Sequence, residues 1–146
     1  MITSVQNDRV KYVRSLARRR VREREGRFVV EGTRLVDEVA RAGIEPALLL
    51  YTEPWAASDA GQELLARLPA PADGAWPVSD DVLAACADTE TPQGVVAVVP
   101  VPDLVPGPGI TLVIDGVRDP GNLGTILRSA EAAGAGQVLL APGTVD

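Results

Sequence analysis

Apolar residues near the start of the chain recur at helical spacing. Val10, Val13, Ala17 and Val21 form one narrow stripe and predict a helix from residue 8 to about residue 24, which Gly26 closes. RFVVEG then predicts a short strand with Phe28 to Val30 as its apolar part, and Thr33 is placed to cap a second helix through Ala42. That helix turns Leu35, Val36, Val39 and Ala40 inward and stops at Gly43. The unbroken apolar run from Ala47 to Tyr51 predicts a strand in a sheet covered on both faces. A third helix follows from Ser58 to Leu68, then a short strand from Trp76 to Val78. Ser79 caps a fourth helix carrying Val82, Leu83 and Cys86, and GVVAVV at 94–99 is a further strand. Strands and helices alternating in this way predict a small α/β layer fold.

The pattern breaks at residues 100–109, where PVPDLVPGPG carries four prolines and two glycines and suits neither a helix nor a central strand. It restarts with the buried strand TLVID, a GVRDPGNLG loop, a helix to Ala133 stopped by Gly134, and the strand QVLLA. The layout is therefore a first domain at 1–99, a linker at 100–109 and one β-α-β unit at 110–146. A lone unit of that kind leaves strand and helix short of partners, so this region is expected to be the beginning of a larger domain.

Composition narrows the chemistry. The 146 residues are 46% apolar and 23% charged, an ordinary globular balance, with no histidine and one cysteine. Catalysis by a Ser/His/Asp triad or a Cys/His dyad is excluded, as are zinc-finger metal sites and internal disulfides. Cys86 lies on an apolar helix face and reads as a small core residue. No segment has the length or pattern of a membrane span or signal peptide, which points to the cytoplasm.

The net charge of −6 conceals an asymmetry: residues 1–34 hold ten of the fourteen Lys and Arg but only four of the twenty acids. The N-terminal segment is thus +6 and the remainder −12. On the first helix Lys11, Arg14, Arg18 and Arg22 share a stripe opposite the apolar one, flanked by Arg9 and Arg19. Such a cluster reads as a surface for a large anion, RNA above all, and its bias toward Arg suits bidentate phosphate contacts. A solvated helix face with local ion pairs, such as Arg22 with Glu25, is the plainer alternative. Trp55 and Trp76 lie beside prolines and read as packing residues before base-stacking ones.

The loop after TLVID carries the remaining chemistry. Asp115 ends a strand, where ligands of α/β folds collect. Pro120 and Gly121 turn the chain, and Asn122 is placed to cap the next helix. Leu123, Ile126, Leu127 and Ala130 make its apolar stripe, with Arg128 on the other side and Gly124 one turn before it. A mid-helix glycine costs about 1 kcal/mol relative to alanine, so its absent side chain points to a need for space beside Arg128. Glu131 is the alternative, an ordinary surface partner for that arginine.

In these residues the chain resembles the SpoU-type RNA ribose 2'-O-methyltransferases of the SPOUT superfamily. Their first motif reads here as Asp115, Asp119-Pro120-Gly121-Asn122, Arg128-Ser129-Ala130 and Gly134. Asn7, Lys11, Leu16, Phe28-Val29-Val30-Glu31-Gly32 and Thr91-Pro92-Gln93-Gly94-Val95 resemble the family's substrate-binding domain, which is similar in fold to small ribosomal RNA-binding proteins. The resemblance implies an RNA-holding domain followed by the first β-α-β unit of a knotted domain. That domain would move a methyl group from S-adenosylmethionine to a ribose 2'-hydroxyl, with ribosomal RNA the expected target.

Carried over by position, Arg128 acts on the 2'-hydroxyl and Asn122 orders the site. A guanidinium stays protonated in proteins, so Arg128 is expected to position the ribose or its phosphate and stabilise developing negative charge. The family's second and third motifs, which shape the cofactor pocket and much of a homodimer interface, have no counterpart in these residues. No cofactor or metal ligand is therefore assigned, and the chain is expected to be the N-terminal portion of such an enzyme, inactive alone. Two alternatives stand beside this reading: a non-catalytic RNA-binding module, and a mononucleotide-binding β-α-β protein. The second lacks an acidic ribose reader beyond a glycine fingerprint.

Overall fold

Thirteen regular elements follow one another in the computed structural model, which describes residues 1–89 and 91–145. They are α1 (Asp8–Ser15), α2 (Arg19–Glu25), β1 (Arg27–Glu31), α3 (Thr33–Arg41), β2 (Leu48–Tyr51), α4 (Glu53–Ala57), α5 (Asp59–Arg67), β3 (Ala75–Pro77), α6 (Asp80–Cys86), β4 (Val95–Pro100), β5 (Thr111–Ile114), α7 (Pro120–Ala132) and β6 (Gln137–Leu140). The chain divides into two compact units, Met1–Val101 and Pro102–Asp146. No helix among the described residues is long and apolar enough to cross a membrane.

The first unit is built on a mixed sheet of order β1-β4-β2-β3. β4 is antiparallel to both β1 and β2, and β3 lies parallel to β2. Alternation along the two central strands supplies two cores. Leu48, Leu50, Val96 and Val98 face α1 and α6 with Val10, Val13, Leu16, Val82 and Leu83. Leu49, Val95, Ala97 and Val99 face α3, α4 and α5 with Val36, Val39, Trp55 and Leu64. Because both sheet faces are covered, these strands read as continuous apolar runs. β4 reaches Pro100, one residue into the Pro/Gly-rich stretch, where it pairs only with Arg27 of β1. Proline is tolerated there because no second strand needs its missing N–H.

The predicted helix over 8–24 is in fact two. α1 stops at Ser15, and the chain turns so that Leu16 is 1% exposed while Ala17 points to solvent. Spacing favoured Ala17 and ignored size; burying a leucine in its place is worth roughly 1.5–3 kcal/mol, enough to break a short helix. The freed carbonyls of Leu16 and Ala17 accept from Arg22 Nη1 at 3.0 and 2.8 Å. Gly26 does end α2, at φ 59°.

Three smaller expectations also change. Gly32, not Thr33, is the N-cap residue of α3. Leu35 is half exposed, because it lies about 100° round the helix from Val36, at the flank of the buried stripe. Residues 53–57 form the short helix α4, with Pro54 in its first turn and Trp55 anchoring it.

Cys86, the last residue of α6, is half buried against the core, and loss of hydration pushes its thiol up to about 11, with the nearby Arg14 pulling the other way. A thiol with a raised pKa stays neutral until the pH approaches that value, and the thiolate is the reactive form. Alkylation of the native protein is therefore expected to be slow at pH 8 and to quicken by about tenfold per pH unit until it levels off near pH 11. In denaturant it should be fast at pH 8; equal rates with and without denaturant would contradict the burial.

The second unit pairs β5 with β6 in parallel, Thr111 with Gln137 through Ile114 with Leu140, and α7 connects them. Ile114, Leu123 and Ala130 are buried. A groove of 340 Å³ beside α7 is lined by Ile110, Leu112, Ile126 and Ala130 among others. Val113 and Leu139, cross-strand neighbours, are 63% and 45% exposed, and Leu127 of α7 is 38% exposed where the stripe pattern placed it inward. Two strands offer this helix too narrow a floor to cover its whole apolar stripe.

Candidate functional site

The basic residues of the first unit divide by what they touch. Asn7 caps α1 by accepting from the Arg9 amide at 2.9 Å, which sets the direction in which Arg9, Lys11 and Arg14 project. Arg9 lies over the Trp76 ring, 4.0 Å from its centroid, and Lys11 reaches Asp8 at 3.9 Å. Arg19 pairs with Glu23 at 2.8 Å, and Arg22 is engaged on the carbonyls that end α1. Arg27 donates to the Tyr12 hydroxyl and to Asp73; the Tyr12 contact first, and Asp73 behind it, hold its pKa above the usual arginine value.

Arg14, Arg18 and Arg20 are exposed, and their guanidinium groups carry no hydrogen bond or ion pair among the described residues. The single stripe of Lys11, Arg14, Arg18 and Arg22 does not exist, because the helix breaks between Arg14 and Arg18 and Arg22 turns inward. Arg20 takes a place in the cluster that periodicity did not assign. Its signal was present in the Arg18-Arg19-Arg20 run, but a continuous helix put it off the stripe.

At the other end of the sheet, residues far apart in sequence interlock. The Gln93 side chain accepts from the Thr33 amide at 3.2 Å, so it caps α3 from a position 60 residues away. Trp55 Nε1 donates to Thr33 Oγ1 at 2.9 Å. Glu31 accepts from the amides of Asp88 and Thr89 and from the Thr89 hydroxyl, tethering the loop that leads to Gln93. Trp55 is buried, in keeping with a packing role, and Trp76 is half buried.

In the second unit the segment 115–119 leaves the carboxyl end of β5 and α7 begins at Pro120. Asp119, rather than Asn122, is the cap: its Oδ1 accepts from the Asn122 amide at 2.7 Å. Proline suits the first helical position, where its missing N–H costs nothing, so the helix starts earlier than Asn122. Thr144, buried against this turn, accepts from the Gly116 amide and donates to the Ile114 carbonyl, both at 3.2 Å. The two loops at the carboxyl ends of β5 and β6 are thereby tied together.

Asn122 is exposed in the first turn of α7. Arg128 is exposed six residues later, about 9 Å along the axis, and leans back toward the amino end as helical side chains do. Its Nη2 donates to Thr125 Oγ1 at 3.2 Å, and a Cβ on Gly124 would stand 3.3 Å from Nη1. The glycine does leave room for the guanidinium, and among the described residues no ion pair joins Arg128 to Glu131.

Known proteins share sequence and fold with this chain. The sequence model of the MRM3-like substrate binding domain matches residues 7–97. The chain is 35% identical to the 23S rRNA (guanosine(2553)-2'-O)-methyltransferase RlmP of Bacillus subtilis, across 99% of this chain and 56% of that enzyme. It is 33% identical to the human mitochondrial rRNA methyltransferase 3, across 86% of this chain and 31% of that protein. Among solved structures, the SpoU methyltransferase AviRb of Streptomyces viridochromogenes, in complex with AdoMet, superposes with a TM-score of 0.80 at 31% identity, covering 97% of this chain and 55% of that one. The chain thus spans about half the length of the Bacillus relative, 56% of it. With matches through both of its units, the chain belongs to the SpoU-type RNA methyltransferases that carry an MRM3-like substrate binding domain.

Proposed function

We propose that the first unit grips ribosomal RNA and that the second contributes the ribose-handling part of a 2'-O-methyltransferase. The observation that carries this reading is the Arg128 guanidinium, held over Gly124 on the helix that starts at the carboxyl end of β5. When bound, S-adenosylmethionine supplies an electrophilic methyl group. The groove beside α7 is lined mostly by aliphatic side chains, with the Thr125 and Ser129 hydroxyls among them, and offers no carboxylate for a nucleoside ribose, which argues against it as the cofactor's seat.

Arg128 acts as a hydrogen-bond donor. It directs its unused N–H groups at the ribose or its phosphate and stabilises negative charge on the 2'-oxygen as that oxygen loses its proton. The proton passes to an acceptor other than Arg128. Asn122 orients the same sugar from the first turn of α7. Residues 1–146 by themselves bind RNA without transferring methyl; the rest of a protein as long as the relatives, working as a homodimer, supplies the cofactor pocket. Val113 and Leu139, open on their sheet, support a larger layer around β5 and β6.

The reading is tested by incubating the full-length protein with ribosomal RNA and isotopically labelled S-adenosylmethionine, then digesting with alkali. A 2'-O-methyl group blocks alkaline cleavage, so label is expected in an alkali-resistant dinucleotide; label confined to mononucleotides would exclude ribose methylation. On the binding side, joint replacement of Arg14, Arg18 and Arg20 by Ala should weaken RNA binding across sequences. It should also lower the slope of log affinity against log salt by about two to three, since each phosphate contact releases counterions. An unchanged slope would place the RNA elsewhere.

A further inference from the structure

An exposed arginine on a helix samples many rotamers unless its neighbours restrict it. Two neighbours restrict Arg128. Thr125, one turn earlier on α7, donates its hydroxyl to the Gly121 carbonyl at 2.9 Å and accepts from Arg128 Nη2 at 3.2 Å. Since that hydroxyl has a single proton and the carbonyl takes it, only lone pairs face the guanidinium. Thr125 is therefore a dedicated acceptor. Gly124, four residues before Arg128, lies on the same helix face, and a Cβ there would be 3.3 Å from Nη1. The Thr125 carbonyl accepts from Ser129 Oγ at 3.0 Å, a further tie between these two turns.

Glycine in a helix interior is unfavourable relative to alanine, and threonine is a poor helix former, so both residues act against the stability of α7. Their placement suits Arg128 instead. The methyl of an alanine at 124 would press on the guanidinium, and a valine at 125 would keep the shape of the side chain but remove the acceptor.

We propose that Thr125 and Gly124 are positioning residues for Arg128: the hydroxyl sets the plane of the guanidinium and the glycine seats it, leaving its other N–H donors directed at the RNA. This rests on the reading of Arg128 as the group that acts on the ribose. Neither residue touches the reacting atoms, so each acts only through the arginine.

The test uses the full-length protein, with Gly124→Ala, Thr125→Val, Thr125→Ser and Arg128→Ala compared in the methyl-transfer assay. Gly124→Ala is expected to raise the melting temperature, as alanine does in a helix, and yet to lower kcat about tenfold through misplacement of the arginine. Thr125→Val should lower kcat to a similar extent with KM for RNA within about twofold, and Thr125→Ser, which keeps the acceptor, should restore it. A merely structural role would let the more stable Gly124→Ala protein turn over normally.

If Gly124→Ala and Thr125→Val keep wild-type kcat while Arg128→Ala is inactive, the positioning role is wrong and the reading of Arg128 stands. Serine at 125 proving as slow as valine would also overturn it. Normal turnover by Arg128→Ala would remove the reading itself, and the positioning role with it.

Discussion

Replacing Arg128 by Ala in the full-length protein is expected to lower methyl transfer by about a hundred- to a thousandfold, the usual cost of removing one preorganised charge-stabilising donor. RNA affinity should change by less than about threefold, because the proposed RNA grip lies with the exposed cations of the first unit. The melting temperature should hardly move, since Arg128 is exposed and, among the described residues, its hydrogen bond is to the neighbouring Thr125 alone. Arg128→Lys is the informative companion. Lysine keeps the charge but lacks the planar fork, so it should recover little activity if geometry decides, and much of it if charge alone suffices. Filter binding, a thermal melt and the alkali-resistant dinucleotide assay together separate these outcomes. Turnover near the wild-type rate in Arg128→Ala would remove Arg128 from the chemistry.

Gly94→Ala should be the most damaging small change in the first unit. Gly94 has φ +83°, where an L residue is strained, and a Cβ there would lie 2.6 Å from Trp55 Cβ and 3.0 Å from Thr52 Oγ1. The backbone has no room to yield, because the Gly94 carbonyl accepts from the Thr52 amide at 2.9 Å and Val95 begins the buried central strand. Left-handed strain of about 1–2 kcal/mol and overpacking of about 1–3 kcal/mol combine to roughly 3 kcal/mol. Against a typical total of about 5–15 kcal/mol, that is a large fraction. Urea denaturation followed by tryptophan fluorescence would show it as a lower midpoint at unchanged slope. The damage should extend to α3, since Gln93, the preceding residue, caps it. A midpoint within about 0.2 M of wild type would mean that Trp55 is less firmly wedged than its contacts indicate.

Much of the architecture was legible. The runs at 47–51 and 94–99 are apolar at every position because β2 and β4 are covered on both faces, and the structure places a core on each side. Gly26 and Gly134 stopped helices where expected, both at positive φ. The space beside Arg128 was readable from a glycine that helix propensity cannot explain. The basic character of the first 34 residues was readable as well; how those charges are arranged was not, because spacing treats Ala17 and Leu16 as equal apolar positions. The core prefers the larger side chain, and choosing Leu16 breaks the helix, dissolves the stripe and turns Arg22 into a cap for α1.

Capping shows the same division. At Ser58 the local rule holds, and the hydroxyl accepts from the Gly61 amide at 3.1 Å. At Asn122 it misses because a proline two residues earlier already satisfies the first helical position, leaving Asp119 as cap. At Thr33 no local rule applies: the amide is met by Gln93, and the hydroxyl serves Trp55.

The sequence by itself determined the alternation of elements, the two-sided sheet, the cationic N-terminal segment and the turn-helix motif around Arg128. All of these follow from periodicity, composition and short-range backbone chemistry. Only the tertiary structure decided which arginines are unengaged, which residue caps α3 and why Gly94 tolerates no side chain. Those depend on partners up to 60 residues away, and such pairings exist only once the chain has packed.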